Sequence, residues 1–291
     1  MGTFHSGEVE VQGRLGVREE AEPIAQGIAA EIPRGVRLML RDQRMAVAAS
    51  LDERGRPWAS LLTGPPGFIR AADERLLSLA TTPIPGDVLA ENLKRRAELG
   101  LLVIDPRTRL RLRVNGRGLL LPDGVFLVAD QVYGNCSKYV QKRRLVADSG
   151  SEPGEARRSS SLDEHERAMV ARADTFFIAT WHPAGGADVS HRGGRPGFVR
   201  VLDERTLEFP DYPGNNMFNT LGNLVGHPKA GLLFVDFERG DLLQVVGEAQ
   251  ILWEPKRAVR LAIDEVHDLP GASPLRFELV EPSPANPPVT A

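Results

Sequence analysis

A single cysteine, Cys136, stands in 291 residues, which excludes an internal disulfide and any Cys-x-x-Cys redox or zinc pair. The six histidines show no paired ligand spacing, so no metal is expected. Charge of one sign is lacking too. Against 39 acidic residues there are 36 basic ones, a formal net charge of -3 and a pI near 6.1, so no global field draws nucleic acid. Long hydrophobic runs are missing: the stretch at residues 231–235 is far short of the roughly 20 residues that span a bilayer. No apolar segment follows Met1 as in a signal peptide, and the expected location is the cytoplasm, away from membranes. Gly116 and Gly118 begin like a dinucleotide fingerprint, but Leu121 holds the place of the third glycine. No Walker loop or Gly-x-Ser-x-Gly elbow occurs, so nucleotide hydrolysis and esterase chemistry fall away.

What is present suits a soluble globular chain of about two domains, with 42% hydrophobic and 26% charged residues. An internal repeat organises it. Residues 58–75 (WASLLTGPPGFIRAADER) and 188–205 (DVSHRGGRPGFVRVLDER) agree at nine of eighteen positions at an offset of 130. At an offset of 131, Asn92 and Leu93 fall on Asn223 and Leu224, residues 100–105 on 231–236, and Gly116 on Gly247. The halves are copies of one unit.

In chain order, residues 1–34 read as an arm with a short helix at 19–30 interrupted at Pro23, and the arm has no counterpart between the copies. Strands are expected at 45–51, 58–62, 68–71, 99–104, 109–121 and 125–130, with a helix at 87–98. Residues 148–161, rich in Ser, Gly and charge, read as a linker between a first domain, 1–147, and a second, 162–291. Ser161 and Glu164 fit a capping box opening a helix to about 173. The second set of strands is expected at 175–181, 187–191, 197–202, 206–209, 230–237 and 241–253, with a helix at 216–225. The Pro-rich tail 281–291 is expected to fray. Antiparallel strands in a meander with one helix, repeated twice, predict a β-rich α+β chain of two small tandem barrels.

The chemistry concentrates in residues 188–223. A strand carrying His191, Arg192, Arg195 and Arg200 is followed by a Gly-rich kink and then an Asn-rich helix start at Asn215, Asn216 and Asn219. Guanidinium groups make charge-assisted bonds to phosphate, and the free N–H groups of a helix N-terminus point at the same ligand. The copies differ here: His191, Arg192 and Gly193 face Leu61, Leu62 and Thr63, and Asn215 faces Asp87. Leucines offer no donors and an aspartate repels phosphate, so an anion is expected on the second copy. The ordinary alternatives stay open: Arg192 and Arg195 as solvated strand-edge charges, the asparagines as plain helix caps, and His191 as a core or surface histidine. Arg200 has its copy in Arg70, which suits a shared structural role, and Cys136 reads as a small buried hydrophobe.

Several motifs together resemble the FMN-binding split-barrel family related to pyridoxamine 5'-phosphate oxidase, in a tandem two-barrel form. They are Phe4 to Glu8; Val114, Asn115 and Gly116; Cys136 to Tyr139 with Gln141; Ser190 to Gly194 with Pro196 to Phe198; Asp211 to Asn215; and Leu221 to Asn223. The resemblance implies two split β-barrels with short helices. It also implies an FMN cofactor held by Ser190, His191, Arg192, Arg195, Phe198, Tyr212, Asn215, Asn216 and Asn219, with Lys138 and Gln141 near the flavin ring. Barrels of this family pair, which two copies could satisfy within one chain or as a homodimer; a homodimer is expected. The function implied is a flavin-dependent oxidoreductase of unspecified substrate. The alternatives are a flavin carrier without turnover and a structural barrel with a vestigial site. An Arg-x-His motif is absent from residues 270–291, which argues against pyridoxamine 5'-phosphate oxidase itself.

Overall fold

The computed structural model describes residues 3–134, 136–148 and 153–289. Helices α1 (Ser6–Leu15), α2 (Arg18–Ala25) and α3 (Arg37–Arg41) precede the first barrel. That barrel comprises β1 (Met45–Leu51), β2 (Pro57–Thr63), β3 (Ile69–Ala71), β4 (Leu76–Leu79), α4 (Leu89–Arg95), β5 (Glu98–Asp105), β6 (Leu110–Leu121) and β7 (Gly124–Gly134). Strands β8 (Lys142–Asp148) and β9 (Arg157–Ser159) lead to α5 (Glu164–Arg172) and the second barrel. It holds β10 (Thr175–His182), β11 (Gly186–Gly193), β12 (Arg200–Asp203), β13 (Thr206–Pro210), α6 (Asn219–Gly226), β14 (Lys229–Val235), β15 (Leu242–Leu252) and β16 (Ala258–Leu269), and β17 (Leu275–Glu281) ends the chain's strands.

The sheets run β2-β1-β5-β6-β7-β4-β3 and β11-β10-β14-β15-β16-β13-β12, the same order place by place. The repeat is therefore structural, and its two barrels are the split barrels expected. Gly116 and Gly247 sit at matching register shifts in β6 and β15, and at each a Cβ would collide with a carbonyl of the neighbouring strand. That explains why both copies carry glycine there.

Strands β1 and β10 are buried at nearly every position because both of their faces are covered. Ala46 and Ala48 point into the first barrel, and Phe176 and Ile178 into the second. The alternate residues, Met45, Val47 and Ala49 with Phe177 and Ala179, meet in a third core between the barrels. The two barrels of one chain therefore pack against each other through this core. Gly100 backs onto the carbonyl of Ala187 and Gly231 onto that of Pro57, the same contact made twice about a pseudo-twofold axis.

Several local expectations change. The cap of α5 is Asp163, not Ser161: its carboxylate accepts from Glu166 N, and the Glu166 carboxylate accepts from Asp163 N, both at 2.8 Å. Leu162, just before the cap, is buried, and the Ser161 carbonyl accepts from Ser159 Oγ at 2.7 Å. Helix α6 begins at Asn219 instead of 216, since Asn216 and Phe218 both hold φ of 60°. Of the linker, 149–152 lie outside the described residues, and Arg157–Ser159 pairs with β16. Helix α1 and strands β4, β8, β16 and β17 had no sequence expectation. Among the described residues no helix is long and apolar enough to cross a membrane.

Because the shared core belongs to both halves, heating should give one cooperative transition, not two. Gly100→Ala and Gly231→Ala should each lower stability of the whole chain by about 1–3 kcal/mol through overpacking at the seam. Calorimetry showing two separate peaks, or an unshifted midpoint in both variants, would contradict this.

Candidate functional site

A cleft of about 820 Å³, counted to its open mouth, lies where both halves meet. The second half supplies Ser190, His191 and Arg192 from β11, the loop around Asp211 to Phe218, and the start of α6. The first half supplies Arg111 and Arg113 from β6, and Cys136, Lys138 and Tyr139 from the segment after β7. Arg111 and Arg113 are two residues apart, so a strand puts them on one face.

These cations differ in what they have left to offer. Arg113 is 2% exposed and fully engaged. It donates to Val189 O (3.1 Å), the Tyr133 hydroxyl (3.0 Å), Asn219 Oδ1 (3.1 Å) and Ser190 Oγ (2.7 Å), and lies 3.0 Å from the Asp188 carboxylate. Arg192 donates to His191 O and lies 3.8 Å from Asp211, which Arg257 holds more closely at 2.6 Å. Among the described residues Arg111 has no hydrogen-bond or ion-pair partner, and its buried Nε is unsatisfied. Burial, reinforced by Arg113 and Arg192, brings its guanidinium down to about 9. His191, edge-on to Phe177, is pushed well below the usual histidine range by burial and by Arg111, Arg192 and Arg143, so the ring is neutral.

The asparagine loop closes one wall. Among the described residues the backbone N–H groups of Asn219, Thr220 and Leu221 have no partner, as the first turn of a helix leaves them. Thr220 Oγ1 lies 3.2 Å from Ser190 Oγ, and the Tyr139 and Tyr212 rings stand 5.3 Å apart at the rim. Cations that repel one another beside free N–H groups make a place for an anion.

The cleft gathers Ser190, His191, Arg192, Phe198, Tyr212, Asn215, Asn216, Asn219 and Lys138. It does not include Arg195 or Gln141. Arg195 is exposed outside it. Gln141 is a buried structural knot, donating to Asp174 O and Gly194 O and accepting from Ser283 N and Asn286 Nδ2. Arg111 and Arg113 were missed because the contrast in donors and charge between the copies was drawn only for residues 188–223. At the same offset of 131, they fall on Leu242 and Gln244, and that contrast marks them.

The equivalent place in the first half is closed. Gln244 donates to Ala59 O (2.8 Å) and reaches Ser60 Oγ (3.3 Å), as Arg113 does to Val189 and Ser190. Asp87 fills the remaining space, accepting from Ser60 Oγ (2.6 Å), Gln244 Nε2 (2.9 Å) and Leu89 N (2.7 Å). Its carboxyl is raised by burial to about 6, against the pull of those three bonds. Between the ordinary aspartate value and 6 the folded chain holds a proton that the unfolded chain has released, so this group's contribution to stability declines as pH rises through that window. Asp87→Asn should remove that slope, worth about 2–3 kcal/mol, in urea unfolding followed across the window. An unchanged slope would mean Asp87 titrates normally.

The sequence pattern of the family described as pyridoxamine 5'-phosphate oxidase matches residues 32–147 and again 162–284. No curated protein matches the chain. Among solved structures, HupZ from Group A Streptococcus is similar at 15% identity over 42% of this chain and 98% of its own, TM-score 0.31. A putative pyridoxamine 5'-phosphate oxidase from Lactobacillus delbrueckii aligns at 18% identity over 37% and 94%, TM-score 0.30. An FAD binding protein from Mycobacterium smegmatis aligns at 13% over 38% and 98%, TM-score 0.28. With the family pattern matched once in each barrel, the chain belongs to the pyridoxamine 5'-phosphate oxidase family as a tandem pair of its domains.

Proposed function

We propose that the chain binds FMN in the cleft of its second half, one per chain, and acts as a flavin-dependent oxidoreductase. The observation that carries this is Arg111: a guanidinium without a partner among the described residues, beside the free N–H groups of α6. A phosphate fits that donor set, because a doubly charged oxyanion satisfies the guanidinium and the helix start together. Arg111 and Arg192 would hold the phosphate, with Arg113 too committed to turn toward it. Asp87 takes the corresponding place in the first half, which supports a single site.

A bound flavin supplies the transfer of electrons. The chain's own side chains orient and shield it. The Tyr139 and Tyr212 pair covers the rim, and neutral His191 offers a hydrogen bond without adding charge. Lys138, exposed at the mouth, places a positive charge where it can stabilise an anionic reduced ring. The binding unit in this reading is one chain, so a homodimer, if formed, uses a surface other than the seam between barrels.

Arg111→Ala should weaken FMN about ten- to a hundred-fold, the loss of one charge-assisted bond, and riboflavin much less. Arg195→Ala should leave both unchanged. Titration by flavin fluorescence checks this, with one FMN bound per chain; equal losses for FMN and riboflavin would move the phosphate elsewhere. Anaerobic reduction of the loaded protein by nicotinamide cofactors tests turnover. Bound flavin that stays oxidised leaves a carrier, and no flavin affinity leaves a structural barrel.

A further inference from the structure

The N-terminal arm lies ahead of residue 32, where the family pattern begins, yet it grips the loop that walls the cleft. Helix α1 lies against α6 so closely that a Cβ on Gly7 would strike Gly222 O, and one on Gly222 would come within 2.6 Å of Glu8 N. The arm's polar side chains then reach successive points of one short segment. Glu20 accepts from Asn216 Nδ2 at 2.7 Å, Gln12 donates to Met217 O at 3.2 Å, and Glu8 accepts from Asn219 Nδ2 at 2.5 Å. Below them His5 meets Asn223 Oδ1 at 2.9 Å and stacks on His182 at 3.7 Å. The segment they reach has left-handed backbone at Asn216 and Phe218, a conformation that Phe does not choose unaided.

We propose that α1 and α2 form an intramolecular strap that sets the 215–219 loop for its ligand, with Glu8 as the positioning residue. This rests on reading the cleft as a phosphate site. Asn219 is the hinge of the arrangement: its Nδ2 is held by Glu8 while its Oδ1 accepts from Arg113. The strap thereby aligns the first turn of α6, with its free N–H groups, against the cations of the first half. Glu8 does not itself line the cleft and reaches it through Asn219.

The strap is also sensitive to pH. Burial raises the Glu8 carboxyl to about 7, opposed by the bonds from His5 N and Asn219, raised further by Asp188 and lowered by Arg113. The His5 ring, 3.5 Å away, is driven down to about 4 by burial and His182, and the Tyr133 hydroxyl is held protonated by burial, so neither carries charge near neutrality. A Glu8 freed into solvent titrates in the ordinary carboxylate range, so the docked arm retains a proton that the released arm gives up. Docking therefore loosens as pH rises from that range through 7.

The test compares wild type with E8A, E8Q and E20A by hydrogen–deuterium exchange without ligand and by FMN titration. E8A and E20A should raise exchange over residues 213–222 but not over β6, and E8A should weaken FMN about ten-fold, the worth of one hydrogen bond to a charged group. In wild type, exchange over 213–222, corrected for intrinsic rate, should increase as pH passes through the titration of Glu8, and E8Q should abolish that increase. Glu20 is exposed, so E20A carries the test if E8A fails to fold. Unchanged exchange over 213–222 in the folded variants overturns the strap. A loosened loop with unaltered FMN affinity overturns its role at the ligand. Wild type that binds no FMN overturns the flavin reading instead, while exchange still decides the strap.

Discussion

An ion pair almost wholly removed from water, Arg113 with Asp188, holds the molecule's two halves in register. Burying such a pair costs several kcal/mol per ion and is tolerated only when every remaining donor and acceptor is met. Arg113 meets that demand by spanning the seam to Val189 and Ser190, turning back to Tyr133 in its own barrel, and reaching Asn219 at the start of α6. Barrel pairing, cleft and helix are thus tied to one side chain. The saturation of Arg113 is also what leaves Arg111 conspicuous: two guanidiniums share one strand face, and among the described residues only one of them has partners.

The same contact made with a neutral amide shows how two copies of one fold can part ways. Gln244 repeats the geometry of Arg113 but brings no charge, and Asp87 completes its hydrogen bonds from within the chain. One half of the pseudo-symmetric pair has become a self-contained core feature, and the other remains open to solvent. Neither needs the other's chemistry to keep the barrel intact, since the glycines at the seam and at the bulges are common to both.

Much of this was legible in the sequence because it repeats. The offset near 130 exposed two equivalent units, whereas the coverage of β1 and β10 on both faces emerged only with the structure. The candidate site residues on β11 and in the asparagine loop stood out against leucines and an aspartate in the other copy. What escaped notice was long-range. Arg111 lies about 100 residues from the loop it joins, on a strand that reads as an ordinary alternating one. Gln141 looked free, yet its amide is consumed by backbone from both halves and by the tail, which local pattern cannot disclose. Helix α1 was overlooked because it has a weak apolar stripe and is stabilised by its fit against α6 at Gly7 and Gly222. The cap of α5 lies two residues on because Asp163 and Glu166, also three apart, form the reciprocal capping box in place of Ser161 and Glu164.

Strand β8, the last of the first half, pairs with β17, the last of the chain, over the register from Leu275 opposite Asp148 to Glu281 opposite Lys142. On a ribosome, β8 is finished long before its partner is made. The first barrel can close its own sheet during synthesis, but the ribbon and the seam beneath it wait for β17, whose Leu275 and Phe277 join the core between the barrels. The order of translation and the order of assembly therefore diverge, and the seam on which the cleft sits is sealed only after every residue that lines the cleft has been made.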